Sequence, residues 1–381
     1  MLGFLSVGIL TLLLAGIPVA VTLFLLAFGI DQFYSFFPLT KALGQNLWSA
    51  ADSFLLIAIP LFVLMGEIIV RAGIAEKAYR AMDHWLSWLP GGLLHANITT
   101  SALFSATSGS SVATAATVST VALPQGKKLG YDAKLFCGSI AAGGTLGILI
   151  PPSINLIVYG FLTETSIPKL FMAGLVPGLG LAALFMLASL LLCVWKPSLG
   201  GPRQSASWST RIKSLSFLLP LLVLFIVIVG SIYLGWATPT EAAAIGVLAS
   251  SGMVQQVTGL LEAYDLGPFA LLMAVIALFI VLGFFIETLS LMVITIPIVT
   301  PLIAAAGYDK VWFGIVMILF VELALITPPV GLNLYIVQAS RRGEAFSDVI
   351  IGTLPYLGAM LVMAALLVAF PQIALWLPSA L

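Results

Sequence analysis

The sequence predicts an all-α polytopic membrane protein made of two inverted-topology repeats, each holding a re-entrant helical hairpin and a proline-broken transmembrane helix. Three observations predict it. The 381 residues are 61% hydrophobic and only 8% charged, with a mean hydropathy of +1.17, which leaves too little polarity for a water-facing surface. Adjacent prolines interrupt long apolar stretches twice, at Pro151-Pro152 and at Pro328-Pro329. The motifs around the two breaks recur at one fixed offset.

Uncharged runs at 4–29, 171–195, 214–240 and 349–381 exceed the roughly 20 residues that cross a hydrocarbon core. The first has no basic residue before it and is too long for a signal-peptide core, so it reads as a membrane helix. The aromatic, proline-containing stretch 31–46 reads as an interfacial piece. An apolar helix from Asp52 follows and ends at Glu67 and Arg71. Residues 73–89 scatter Glu76, Lys77, Arg80, Asp83 and His84 among apolar residues, the spacing of a helix lying along the membrane surface.

Residues 96–126 carry no charge, yet their centre reads Ser105-Ala106-Thr107-Ser108-Gly109-Ser110-Ser111, a poor interior for one helix. Split there, each arm has about 15 residues and reaches about 22 Å, short of a roughly 30 Å core. A re-entrant hairpin fits better than a span. The helix over 131–163 then meets Pro151-Pro152. Each proline removes an amide donor and clashes with the preceding turn, so the helix must open. In lipid, opened backbone persists only where protein buries it or where it lines a cavity or ion site. After a further helix, residues 196–214 form a Gly/Pro/Ser-rich joint. It contains Lys196, Arg203, Arg211 and Lys213 and no acid, which places it in the cytoplasm.

The second half, 215–381, repeats the first, 1–195. Leu123-Pro124 and Gly130-Tyr131-Asp132 return 177 positions later as Thr300-Pro301 and Gly307-Tyr308-Asp309, and Pro151-Pro152 returns as Pro328-Pro329. On the same offset Ser110-Ser111 falls on Glu287-Thr288, the polar interruption in a second hairpin at about 266–307, which precedes a second broken helix at about 309–340. Lys127 and Lys128 align with Ala304 and Ala305, whereas the acidic turn at Glu164 aligns with a region ending in Arg341-Arg342. The basic ends switch between copies, as an inverted repeat requires, with Lys127, Lys128, the joint and Arg341-Arg342 all inside. Pro18 lies 133 residues before Pro151, but the similar Pro239 lies only 89 before Pro328, so the second copy is 44 shorter, with the loss near residue 249. Either a segment is omitted there or the protein has lost one; omission is favoured, because losing one span would reverse the topology that the charges support.

Pro90-Gly91-Gly92, Ser108-Gly109-Ser110-Ser111-Val112-Ala113, Gly130-Tyr131-Asp132, Ile150-Pro151-Pro152-Ser153, Thr238-Pro239-Thr240-Glu241-Ala242-Ala243 and Thr327-Pro328-Pro329-Val330-Gly331-Leu332-Asn333 occur in order over nearly the whole chain. In these motifs the chain resembles the large membrane subunit of tripartite ATP-independent periplasmic (TRAP) transporters. The resemblance implies an elevator-type ion transporter of the bacterial inner membrane. It would import, with sodium, a small organic anion such as a carboxylate, a sialic-acid-like sugar or a sulfonate. A periplasmic solute-binding protein would deliver the anion, and a small four-helix membrane subunit would join the fixed scaffold.

Sodium is served by oxygen ligands, and opened helices supply carbonyls. The first ion is expected at Ser108, Gly109, Ser110 and Ser111 with Gly144, Thr145 and the carbonyls before Pro151. By the repeat, a second is expected at Glu287 and Thr288 with Thr327, Pro328 and Gly331. The substrate is expected between the tips near Ser153, Asn155 and Asn333.

Plainer readings stand beside these. Serine-rich turns also serve close helix packing, Glu287 could cap its own helix, and Glu322 reads equally as part of a structural hydrogen-bonded pair. His84 and His95 are expected at the interface, and Lys127 and Lys128 as topology determinants. Cys137 and Cys193 behave as small hydrophobes, with no disulfide and no metal site other than sodium. Ser108-Gly109-Ser110 could suggest an intramembrane hydrolase, but neither histidine lies in an apolar helix able to serve as base, so no enzyme is expected. A passive channel explains only the hairpins. A stand-alone sodium/dicarboxylate carrier is the serious alternative. Zero formal net charge argues against a nucleic-acid partner.

Overall fold

The computed structural model describes residues 73–202, 206–219, 221–222, 288–328, 331–341 and 344–380, with isolated positions between 8 and 32 and between 269 and 279. The expected first membrane helix, the interfacial piece at 31–46, the helix from Asp52 to Arg71, Pro239 and the 44-residue difference lie outside the described residues. So do Glu287, Pro329 and Arg342.

The described residues form helices and connecting turns. Helix α1, Ile74–Leu86, is more than a surface element: Ala75, Ala78, Tyr79, Ala81 and Met82 bury one face against α2. Helix α2, Gly92–Ser108, and α3, Ser111–Lys128, are joined by two residues and pack on each other. At 17 and 18 residues they are longer than the expected arms, about 26 Å each. His95 corrects its expectation. It is buried, and its Nε2 lies 2.9 Å from the Pro90 carbonyl, so the ring closes the turn that starts α2.

Helix α4, Ala133–Leu149, is the hub and packs against α2, α3 and α6 and against three helices of the second half. Asp132 starts it by accepting the Leu135 amide at 2.9 Å. Ile150 ends it in extended conformation (φ −83°, ψ 120°), as the residue before a proline must. The chain resumes as α5, Ile154–Thr163, and α6, Ile167–Trp195. The joint is more structured than its composition predicts. A 3-10 turn at Pro197–Leu199 precedes α7, Trp208–Leu215, which docks on α1, where the Trp85 indole donates to the Arg211 carbonyl at 3.1 Å.

The second half contributes α8, Thr288–Ala305; α9, Lys310–Leu325; α10, Leu332–Ala339; α11, Phe346–Ala369; and α12, Gln372–Ala380. Helix α8 ends 177 positions after α3 does, and α9 starts 177 after α4. Caps repeat as well. Asp309 accepts the Trp312 amide at 2.9 Å, as Asp132 does for Leu135. Gly130 and Gly307 are both left-handed (φ 68° and 88°), and the amide of the following tyrosine donates back at 3.1 Å in each. The halves interlock: α3 packs against α10, and α8 against α5. The tightest crossing joins α4 to α11. A Cβ on Gly352 would lie 1.7 Å from the Lys134 carbonyl oxygen, so only glycine permits it.

By length and composition, 133–163 (taken across its break), 167–195 and 346–369 are long and apolar enough to cross a membrane. Buried polar contacts tie the bundle together: Tyr79 donates to Asn97 (2.9 Å), Asn97 to Ser139 (2.8 Å), and Trp312 to the Leu367 carbonyl (2.8 Å). Such interhelical bonds contribute roughly 0.6 kcal/mol each in a membrane.

Candidate functional site

The turn between α2 and α3 is made by two residues with different conformations. Gly109 is left-handed (φ 61°, ψ 13°), and its amide closes α2 on the Ser105 carbonyl at 3.1 Å. Ser110 is extended and caps α3, its hydroxyl accepting the Ala113 amide at 3.4 Å. The hydroxyls of Ser108 and Thr114 bond to each other at 2.9 Å. Ser108, Ser111 and Thr114 are buried, so the tip is seated inside the protein.

It is seated on the first break. The Ile154 amide donates to the Gly109 carbonyl at 3.4 Å, and a Cβ on Gly109 would stand 2.9 Å from the Pro152 carbonyl oxygen. Ser153 caps α5 by accepting the Leu156 amide at 3.3 Å. Helices α3 and α5 therefore begin side by side, and their partial positive charges suit a nearby anion. On the other side the tip meets α4: a Cβ on Gly147 would lie 2.8 Å from the Ser110 carbonyl oxygen, and one on Gly144 3.1 Å from both the Ser111 carbonyl oxygen and Asn333 Nδ2.

Ser108, Gly109, Ser110, Ser111 and Gly144 are thus brought together, and Asn333 joins them from α10. The Thr145 hydroxyl turns onto its own helix, donating to the Ala142 carbonyl at 2.7 Å. Asn333 donates to the Ala141 carbonyl at 3.4 Å, while its Oδ1 is buried without a partner among the described residues. Asn155 is buried with its Nδ2 likewise unpartnered. Of the second set, Thr327 and Pro328 are half-buried, and the Thr327 hydroxyl donates to the Leu323 carbonyl at 2.6 Å. Gly331 starts α10 in left-handed conformation (φ 52°), and Thr288 is buried at the head of α8.

A residue outside the expected set completes the picture. The Ser111 hydroxyl donates to both carboxylate oxygens of Glu322, at 2.8 and 2.9 Å, and Glu322 is fully buried in α9. The available signal was its charge deep in a helix whose other charged residue is Lys310 at the first position, and its place opposite Thr145 on the 177 offset.

At the far end of α3 from the tip, a cavity of 1110 Å³ is lined by residues including Ser119, Lys127, Tyr131, Cys137, Arg341 and Glu344. Glu344 pairs with Lys127 at 3.3 Å and with Arg341 at 2.6 Å, so the basic ends of the two halves meet on one side of the molecule. The Arg341 hydrogen bond, with Lys127 adding to it, holds the Glu344 carboxyl below its ordinary range.

A helical bundle with apolar helices long enough to cross a membrane is the architecture of a polytopic membrane protein. The chain belongs to the DctM component family of tripartite ATP-independent periplasmic transporters, whose model matches residues 6–250 and 245–373. It is a transporter subunit and not an enzyme. It is 32% identical to the sialic acid TRAP transporter large permease protein SiaM of Vibrio cholerae, over 98% of this chain and 97% of that protein. It is 32% identical to the C4-dicarboxylate large permease DctM of Pseudomonas aeruginosa (89% and 90% covered), and 30% identical to the ectoine large permease TeaC of Halomonas elongata (96% of each). The alignment to SiaM runs over 424 positions, more than the 381 residues of this chain, and the two matched segments of the family model meet at 245–250.

Proposed function

We propose that the chain is the sodium-coupled membrane subunit that imports a small organic anion across the bacterial inner membrane. A periplasmic solute-binding protein hands the anion over, and a small four-helix subunit completes the scaffold. The observation that carries this reading is the tip of α2–α3, rich in hydroxyl and carbonyl oxygens, seated on the Pro151-Pro152 break. Gly109 touches the opened backbone of a second helix, and the hydroxyls of Ser108, Ser110 and Ser111 flank it, an oxygen-rich surrounding that suits a hard cation. Asn333, whose Nδ2 would lie 3.1 Å from a Cβ on Gly144, also carries a buried Oδ1 with no partner among the described residues.

Bound sodium supplies the positive charge that offsets the anion and fixes the tip. The chain's own groups do the rest. Gly109 and Gly147 let the tip approach α4 and the break, the capped starts of α3 and α5 favour a negative group, and Asn155 and Asn333 offer amide donors and acceptors. Glu287, Thr288, Thr327, Pro328 and Gly331 form the corresponding second set. The repeat at 177 positions, with the matching ends of α3 and α8, the matching starts of α4 and α9 and the packing of α3 on α10 and α8 on α5, supports an inverted-repeat architecture and an elevator movement of the hairpins and broken helices. The polar cavity on the basic side supports release towards the cytoplasm. The carboxylates named for the relatives, sialic acid, C4-dicarboxylate and the zwitterion ectoine, support a carboxylate-type substrate.

Uptake into proteoliposomes containing the chain and its small subunit tests this, with candidate organic acids, with and without the binding protein, under an inward sodium gradient. Uptake that requires both sodium and the binding protein is expected. Sodium-driven uptake without the binding protein would move the chain to the stand-alone carriers.

A further inference from the structure

Glu322 has no role in the reading so far, and its surroundings are specific. It lies in α9 among buried apolar residues, including Ile318, Leu319, Leu323 and Leu325, with none of its surface exposed. Among the described residues its recorded partner is the Ser111 hydroxyl, which lies between its two oxygens. A hydroxyl has one proton and two lone pairs. With that proton committed to Glu322, Ser111 Oγ can act towards the tip only as an acceptor. A carboxylate behind a ligand also raises the ligand's basicity and fixes its direction, as carboxylates do behind metal-binding histidines.

We infer that Glu322 is the positioning residue of the first cation site: reaching from the second half of the chain, it accepts the Ser111 proton and so turns the lone pairs of Ser111 Oγ towards the hairpin tip. The inference rests on the sodium reading above and goes beyond it, because it makes a site at the first hairpin depend on a helix of the other half. Glu322→Gln keeps nearly the same volume but places an amide that can donate to Ser111 Oγ, consuming the lone pair a cation needs.

The test is the rise in melting temperature of the purified membrane subunits on titration with sodium chloride, against potassium chloride at equal ionic strength. The parent, Glu322→Gln, Glu322→Asp, Ser111→Ala and the double variant Ser111→Ala/Glu322→Gln are compared. The sodium concentration for half-maximal stabilisation is expected to rise tenfold or more in Glu322→Gln, to recover in part in Glu322→Asp, and to be no worse in the double variant than in Ser111→Ala. A Glu322→Gln titration equal to the parent's overturns this inference while leaving the sodium reading intact, as do additive effects in the double variant. Absence of a sodium-specific rise in the parent overturns the sodium reading itself, and this inference with it. A Glu322→Gln protein that cannot be purified folded, with Glu322→Asp titrating like the parent, also overturns it by making the residue purely structural.

Discussion

The two proline breaks share a sequence device and close in different ways. At the first, Ile150 turns extended, Ser153 caps α5 with its hydroxyl, and the hairpin tip accepts the Ile154 amide, so every part of the opening is buried. At the second, α10 starts from left-handed Gly331 with no side-chain cap, and Thr327 and Pro328 stay half-buried. The flanking helices differ in the same sense. Gly144 and Gly147 on α4 leave room for the tip and for Asn333, whereas the positions 177 later on α9 are Val321 and Ala324. Where α4 has Thr145 bonded to its own turn, α9 has Glu322 reaching across to Ser111. The two breaks thus differ through single residues on their flanking helices, and the first seats the α2–α3 turn.

The largest test of that difference is Gly147→Val against Ala324→Gly. The valine must displace the Ser110 carbonyl, an overpacking of about 1–3 kcal/mol or more in a tight interior. Size-exclusion profiles should show aggregated protein, or folded protein with sodium-driven uptake reduced at least tenfold. Ala324→Gly should lower stability by about 1 kcal/mol and leave uptake largely intact. If both variants transport equally, the tip is not held by α4.

A smaller effect separates the caps. Ser153→Ala removes the acceptor for the Leu156 amide and should lower stability by about 1 kcal/mol, whereas Ser153→Gly should lower it by a few tenths. At the second break the ranking reverses: Gly331→Ala forces a side chain into left-handed backbone, roughly 1–2 kcal/mol, while Gly331→Asn is tolerated better. Thermal unfolding in detergent checks both pairs, and a serine-sensitive second break would erase the contrast.

The smallest effect lies where the halves meet outside the membrane. Glu344 has a folded-state pKa below its unfolded value, so its pairing with Arg341 and Lys127 stabilises fully above the ordinary glutamate pKa and is lost as pH falls through the depressed value. The melting-temperature difference between the parent and Glu344→Gln should therefore be largest near neutrality and vanish as the pH falls below the depressed value. A pH-independent difference would mean that packing, not charge, joins the halves there.

Much of this was legible in the sequence, because local chemistry decided it. Ser108-Gly109-Ser110 could not continue a helix and Pro151-Pro152 forced an opening, and the helix bounds follow these residues; the repeated Gly-Tyr-Asp was visible, though not that its aspartates cap α4 and α9. What was not legible depends on distant packing. Ser111 and Glu322 are 211 positions apart, and nothing near either one selects the other. His95 looked interfacial because its polarity was visible while the Pro90 carbonyl that receives its ring was not. Helix α7 formed within a Gly/Pro/Ser-rich joint because Trp85 and Trp208 pack edge to face, their centroids 6.4 Å apart.

Helix α3 is tethered at both ends to the second half: Ser111 to Glu322 at its head, Lys127 to Glu344 at its tail. Sixteen residues of α-helix separate the two tethers, a rod of about 24 Å. Mechanically this is a strut pinned at two joints, and a load applied to the serine turn is carried straight to the far side of the bundle. The turn cannot swing open on a local hinge while both pins hold. One pin must slip first, and the exposed ion pair at the tail is the weaker of the two.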